Sequence, residues 1–162
     1  MAKKEVLSVL VDNHSGVLAR VASLFGRRGY NIDSLTVSAT NDPGISRITI
    51  VVEGDEAVIS QIISQTRKLI ETREVFALRE NRALLRELLL VKLAATESRR
   101  SAIREVSEIY GADIVDLSVD SMIVELTGAP TKIDAFLEVL KEYDIVEMCR
   151  TGITALERGI TK

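Results

Sequence analysis

Hydrophobic and polar positions along the chain follow a pattern that occurs twice. A strand-like apolar run begins at Val6, and a similar run begins at Leu88, 82 residues later. Each run is followed by apolar residues at helical spacing, which predicts an amphipathic helix with one buried face. The matched apolar positions of the two runs are Val6, Val9 and Val11 in the first and Leu88, Val91 and Leu93 in the second.

Both predicted helices stop at a glycine, Gly29 in the first half and Gly111 in the second. A glycine at this point is typical of a left-handed C-terminal cap. The apolar faces that define the helices are Val17, Leu18, Val21, Leu24 and Phe25 in the first half, and Ile103, Val106, Ile109 and Tyr110 in the second.

The remaining segments complete the same order of elements in each half. The predicted segments are strands 32–39 and 45–53, helix 55–70 and strand 74–79, then strands 114–119 and 122–127, helix 131–143 and strand 145–150. Each half is therefore predicted to be a ferredoxin-like β-α-β-β-α-β unit of the α+β class, with both helices on one face of a four-stranded antiparallel sheet.

The repeat predicts two domains, residues 1–80 and 88–162, joined by a short and fairly stiff linker, residues 81–87, without Pro/Gly-rich character. The alternative is that the repeat arose by chance and that the chain forms one mixed α/β domain.

Composition narrows the class of protein. The 162 residues are 46% hydrophobic and 4% aromatic, which predicts aliphatic cores. A net charge of -3 argues against nucleic acid as the main partner, since that role needs a dense basic surface. A single cysteine rules out an internal disulfide, and the sequence predicts neither a signal peptide nor a membrane-spanning helix. These features favour the cytoplasm.

Ferredoxin-like units have many functions, so the function has to be inferred from the residues available for binding or catalysis. The third strand of each half contains no aromatic residue for stacking on RNA bases. A metal carrier would need a Cys-x-x-Cys pair, and the loop after the first strand lacks the arginine of a phosphate site. No Gly-rich nucleotide loop is present.

Isolated reactive side chains give no sign of catalysis. His14 and Ser15 are adjacent in a loop, where side chains diverge, and they have no third group to orient them. Cys149 lies in a strand pattern and is predicted to be a small core residue. The acidic residues predicted on solvated faces are Glu71, Glu74, Glu138 and Glu142.

The loop between the first strand and the first helix has the chemistry of a binding site. Asn13 or Ser15 is predicted to cap the helix, and Gly16 lets a ligand approach the backbone. Free amides at the positive end of a helix suit a small carboxylate. Val17, Leu18 and Ile32 would add an apolar lining, so the site fits an aliphatic amino acid. The alternative is an ordinary helix cap without a ligand.

The second strand is predicted at the edge of the first sheet. Residues 32–37 are largely apolar, and an exposed edge of this kind invites pairing with another chain. A two-fold dimer through this edge would bring Asn31 and Ile32 of one chain near the partner's Asn13–Gly16 loop. The sequence therefore predicts a ligand held between two subunits.

At these residues the chain resembles a known family. The run from Ser8 to Arg20 is similar to the opening of an ACT domain. Together with residues 29–37 and 42–47, and with residues 88–92 and 150–152 in the second half, it resembles the small, regulatory subunit of acetolactate synthase, also called acetohydroxyacid synthase.

The resemblance implies a regulatory chain without chemistry of its own and without a cofactor. The catalytic subunit is then a separate, larger chain that uses thiamine diphosphate, a divalent metal and FAD. The small subunit would activate it and confer feedback inhibition by an amino acid, most often valine, bound between the ACT domains of a homodimer. The implied effector-binding residues are Asn13, His14, Ser15, Gly16, Val17, Leu18, Asn31 and Ile32.

The second half lacks a matching Asn-x-x-Gly loop, so a docking and dimerising role is predicted for it. Two other functions stay open: a free-standing tandem-ACT regulator of transcription or of another enzyme, and an enzyme active by itself. The residues do not separate valine from leucine or isoleucine, because one methylene changes binding by only about 1–3 kcal/mol.

Overall fold

The computed structural model describes residues 3–160. The first half contains β1 (Lys3–Asp12), α1 (Val17–Arg28), β2 (Asn31–Ala39), β3 (Ile45–Gly54), α2 (Glu56–Arg67) and β4 (Thr72–Ala77). The second half contains β5 (Ala83–Ala94), α3 (Glu97–Tyr110), β6 (Asp113–Leu117), β7 (Ser121–Gly128), α4 (Pro130–Leu140), β8 (Ile145–Arg150) and β9 (Thr154–Glu157).

Each half is a ferredoxin-like unit, as the repeat predicts. The first sheet has the strand order β2-β3-β1-β4, and the second has the order β6-β7-β5-β8. In both sheets the neighbouring strands in these orders are antiparallel. The predicted α+β fold of two tandem βαββαβ units is confirmed. The short strand β9, which the sequence analysis does not predict, pairs with β5 outside this order.

The chain forms two compact units, and the first of them is built from two separate segments of the chain. One contains the residues up to Leu84 together with the segment from Ile153 onward, and the other is Leu85–Gly152. Strand β5 begins at Ala83, inside the predicted linker 81–87, where Ala83, Leu84 and Leu85 form a short apolar run that is half-buried. The limits of the functional domains stay a prediction.

The helices pack one apolar face each on a sheet, which gives each unit its own core of mainly aliphatic side chains with a buried phenylalanine. In the first unit the core residues include Leu7, Val9, Val21, Phe25, Ile48, Ile50 and Ile62. In the second they include Leu89, Val91, Ile103, Val124, Ile133, Phe136 and Leu140. Burying one such side chain contributes about 1.5–3 kcal/mol.

Helix ends agree with the sequence in part. Gly29 and Gly111 adopt φ values of 66° and 69° after α1 and α3, so the predicted left-handed C-caps are confirmed. Helix α2 ends at Arg67, three residues before the predicted end, because the amides of Lys68 and Leu69 turn back to the Gln65 and Thr66 carbonyls.

An ion-pair cluster stabilises the end of β8 in the second unit. Arg150 donates from Nε (2.9 Å) and Nη2 (2.5 Å) to Glu87 Oε2 and from Nη1 to Asp134 Oδ1 on α4 (2.7 Å). The Glu87 side chain is 6% exposed. Burial alone would lower the pKa of Arg150, but hydrogen bonds to Glu87 and Asp134 outweigh it and raise that pKa above its ordinary value.

We expect Arg150→Met to lower the free energy of unfolding by about 3 kcal/mol, because the Glu87 carboxylate would stay buried without its partner. Lys141→Met is the matched control, since it removes an exposed cation paired with exposed Glu138, and its effect should stay below about 1 kcal/mol. Urea unfolding measures both. The double variant Arg150→Met/Glu87→Met should recover most of the loss, and equal losses in Arg150→Met and the control would contradict the prediction.

Candidate functional site

The predicted binding loop connects the end of β1 to the start of α1. Gly16 is the N-cap of α1 with φ 87° and ψ -12°, and among the described residues no side chain caps this helix. The predicted capping by Asn13 or Ser15 is therefore wrong. The reason is that the Asn13 side chain is used elsewhere, donating from Nδ2 to the Pro43 carbonyl at 3.0 Å.

The absence of a side-chain cap leaves the first amides of α1 available. The amide of Arg20 closes the first turn on the Gly16 carbonyl at 3.1 Å, so the amides of Val17, Leu18 and Ala19 precede the helical hydrogen-bonding pattern. The first turn of α1, all of it described, contains no acidic side chain. This helix end is therefore suited to a small anion.

The loop is held by the β2–β3 connection. The Asn13 amide donates to the Gly44 carbonyl at 2.8 Å, next to the contact of its side chain with Pro43. The connection is itself a hydrogen-bonded turn, in which the Gly44 amide donates to Asp42 Oδ1 at 2.8 Å. Asn13 keeps a carbonyl oxygen that can accept a hydrogen bond from an ammonium group.

The predicted site residues differ in which of their groups a ligand could reach. Asn13, His14, Ser15 and Gly16 are exposed, and His14 Nδ1 lies 3.2 Å from the carbonyl oxygen of Ser15. Leu18 is 44% exposed, whereas the Val17 side chain is 4% exposed and belongs to the core. Val17 can therefore offer a ligand its backbone amide, and Leu18 offers an apolar side chain.

Asn31 and Ile32 lie far from this loop within one chain. Asn31 pairs with Glu53 on β3, and Glu53 pairs with Lys4 at the start of β1. The loop follows Asp12, at the other end of β1, so about eight residues of strand separate the two groups, roughly 26 Å. One chain brings Asn13–Leu18 together but does not bring Asn31 and Ile32 to them.

Two ion pairs near the loop were not predicted from the sequence. Glu71, predicted on a solvated face, is 5% exposed and pairs with Arg20 Nη1, because its position between α2 and β4 places it beneath the start of α1. Asp12 pairs with Arg73 at 2.5 Å. Burial through long-range packing leaves no local sequence signal, and the sequence around Glu71 shows none.

The side chain of Cys149 is not part of a core. Cys149 is exposed on edge strand β8, so its predicted core position is wrong.

Across residues 3–160, no group of three or more His, Cys, Asp or Glu side chains is arranged to hold a metal ion. None of the helices in this range is long and apolar enough to cross a membrane.

Family models match both halves of the chain. Residues 7–74 match the ACT domain of the AHAS small subunit type, and residues 86–159 match the small subunit of acetolactate synthase. A probable acetolactate synthase small subunit of Archaeoglobus fulgidus is 48% identical over 98% of this chain and 99% of its own length. The chain belongs to the acetolactate synthase small-subunit family.

Other members of the small-subunit family agree in length and fold. The acetolactate synthase isozyme 3 small subunit of Escherichia coli is 42% identical over 96% of both chains. The crystal structure of the acetolactate synthase small subunit from Thermotoga maritima is 38% identical and superposes with a TM-score of 0.90 over 98% of this chain and 99% of that chain. The resemblance stated from the sequence is confirmed.

Proposed function

We propose that this chain is the regulatory subunit of an acetolactate synthase, that it activates a separate catalytic subunit, and that valine binds it and inhibits the complex. Full-length similarity to acetolactate synthase small subunits is the observation that carries the proposal. The condensation of 2-oxo acids then takes place on the catalytic subunit, which holds thiamine diphosphate, a divalent metal and FAD.

The effector site is proposed at Asn13, His14, Ser15, Gly16, Val17, Leu18, Asn31 and Ile32. The free amides of α1 would bind the carboxylate of the amino acid, and the Asn13 carbonyl oxygen would accept from its ammonium group. The exposed Leu18 side chain would contact the aliphatic part. Leucine and isoleucine share this chemistry and are the alternatives to test.

The distance between the two residue groups supports a site shared by two chains. Strand β2 is an edge of the first sheet. If two β2 strands pair antiparallel, Asn31 and Ile32 of one chain move to the end of the partner's sheet where the partner's Asn13–Gly16 loop lies. A homodimer would then complete a site that one chain leaves divided.

The direct test is an acetolactate synthase assay of the purified catalytic subunit with and without this protein, followed by a valine titration. Stimulation that valine reverses supports the proposal. Valine binding without stimulation would favour a free-standing regulator, and product formation by this chain alone would favour an enzyme.

Allosteric linkage gives a quantitative prediction for the same complex. If valine and the catalytic subunit favour different states of the small subunit, adding the catalytic subunit should change the dissociation constant of valine by about 5- to 150-fold. Valine should change the affinity for the catalytic subunit by the same factor. Calorimetry on both sides measures this, and an unchanged constant under inhibiting conditions would exclude the mechanism.

A further inference from the structure

A buried carboxylate lies at the base of the proposed effector loop. The Glu71 side chain is 6% exposed, although it lies in the connection between α2 and β4. Its partner is the guanidinium of Arg20, on the first turns of α1, whose own side chain is 64% exposed. A carboxylate buried in this way is stable while its cation is present and becomes unfavourable when the cation is removed.

Glu71 contacts the chain on both sides of the loop. Its backbone carbonyl accepts from the amide of Asp12, the last residue of β1, at 2.9 Å. Its carboxylate accepts from Arg20, the residue whose amide closes the first turn of α1 on Gly16. One residue thus connects the strand before the loop to the helix after it.

The other contacts of the loop do not join β1 to α1. Asn13 is bonded to Pro43 and Gly44 of the β2–β3 connection, which fixes the residue that leaves β1. Between Asn13 and the first turn of α1, the described contacts include only the local approach of His14 to Ser15. Arg28 bonds to Gln65 near the other end of α1, so at the loop end the orientation of the helix depends on core packing and on the Arg20–Glu71 pair.

We propose that Glu71 and Arg20 are positioning residues for the effector loop, holding the first amides of α1 in the orientation that binds an amino-acid carboxylate. The inference rests on the proposed function and names two residues that act on its site without contacting the effector. A loop held in advance gives up less conformational freedom on binding, which increases affinity.

A purely electrostatic role would behave differently. Arg20 would then attract the effector carboxylate, and Glu71 would weaken that attraction. Removing the charge of Glu71 would tighten binding, whereas removing Arg20 would weaken it. Positioning predicts that both changes weaken binding, and that the double change is no worse than either, because the pair works as a unit.

The experiment compares Glu71→Gln, Arg20→Gln and the double variant in the full chain. Glu74→Gln and Arg28→Gln are matched controls, because they make the same charge changes nearby and because Arg28 also bonds α1 to α2, through Gln65 at 3.0 Å. Valine binding is measured by calorimetry. Hydrogen–deuterium exchange is followed for peptides covering residues 12–17 and for the core strands.

We expect the dissociation constant of valine to rise about tenfold in each of the three variants, and to stay within about twofold in the controls. Amide exchange should increase at residues 12–17 while residues 3–11 of β1 and strand β3 remain protected. A merely structural role would instead raise exchange throughout the unit.

The inference would be overturned by tighter binding in Glu71→Gln, by unchanged exchange of the loop, or by faster loop exchange with an unchanged dissociation constant. Failure of the unmodified chain to bind valine, leucine or isoleucine would overturn the proposed function and the inference with it. Equal binding by the unmodified chain and the variants would overturn the inference alone.

Discussion

Gly16→Asp is expected to abolish inhibition by valine while the stimulation of the catalytic subunit is retained. The new carboxylate would stand where the effector carboxylate is proposed to bind, next to the first amides of α1. Repulsion between two such charges near a protein surface is about 2–4 kcal/mol, which corresponds to roughly thirty- to a thousandfold weaker binding. Valine titration of the reconstituted complex, with calorimetry on the free protein, measures the change.

The structure makes this substitution specific for the site. Apart from its two neighbours in the chain, a Cβ atom at position 16 would meet no atom within 4 Å, and the position is exposed, so there is room for a side chain. The positive φ of 87° disfavours most residues, but Asp and Asn tolerate it better than others. Folding and docking should therefore survive.

Gly16→Asn is the matched control, because Asn has the shape and the backbone preference of Asp without its charge. We expect a much smaller loss of valine sensitivity in this variant. Normal sensitivity in Gly16→Asp would remove Gly16 from the site. Equal losses in both variants would show that size at this position, rather than charge, blocks the effector.

Val37→Glu is expected to separate the proposed dimer into single chains and to remove valine binding with it. Val37 lies on edge strand β2 and is 43% exposed, so a polar residue there leaves the core intact. Asp33, the one charge already on this strand, is paired with Lys4 at 3.0 Å. A Glu at position 37 would put an unpaired negative charge on the edge of each β2 strand, and charged side chains on an edge strand oppose its pairing with another chain.

Sedimentation over a range of concentrations measures the assembly, and calorimetry measures valine. Val37→Thr is the control, since Thr is β-branched like Val and uncharged, and it should behave like the unmodified chain. Loss of dimer and of valine binding together would support a site shared by two chains. A Val37→Glu monomer that binds valine normally would place the whole site in one chain.

The repeat and the helix-ending glycines were accessible from the sequence because they depend on local patterns. Apolar periodicity predicted both βαββαβ units and the edge position of β2, and Gly29 and Gly111 predicted two helix ends. These features follow from side-chain spacing and from backbone freedom within a few residues.

The features that the sequence missed depend on distant parts of the chain. The position of Asn13 in the sequence is typical of a helix cap. In the structure its side chain instead donates to the Pro43 carbonyl in the β2–β3 connection. Glu71 is buried and pairs with Arg20 of α1, which lies 51 residues earlier in the chain, and nothing around Glu71 in the sequence indicates this. Strand β9 is a short segment near the end of the chain whose partner, β5, begins about seventy residues earlier.

The discontinuity of the first unit has a consequence for its synthesis. The Arg79 amide donates to Glu157 Oε1 at 3.1 Å, and the Arg158 amide donates to the Arg82 carbonyl at 2.7 Å. Domains generally fold in the order in which the ribosome releases them. Here the contiguous segment Leu85–Gly152 emerges before the first unit has received its last residues. A nascent chain that stalls there would carry a complete second unit and an incomplete first unit, so a polypeptide cut before Ile153 is a poor substitute for the complete first unit.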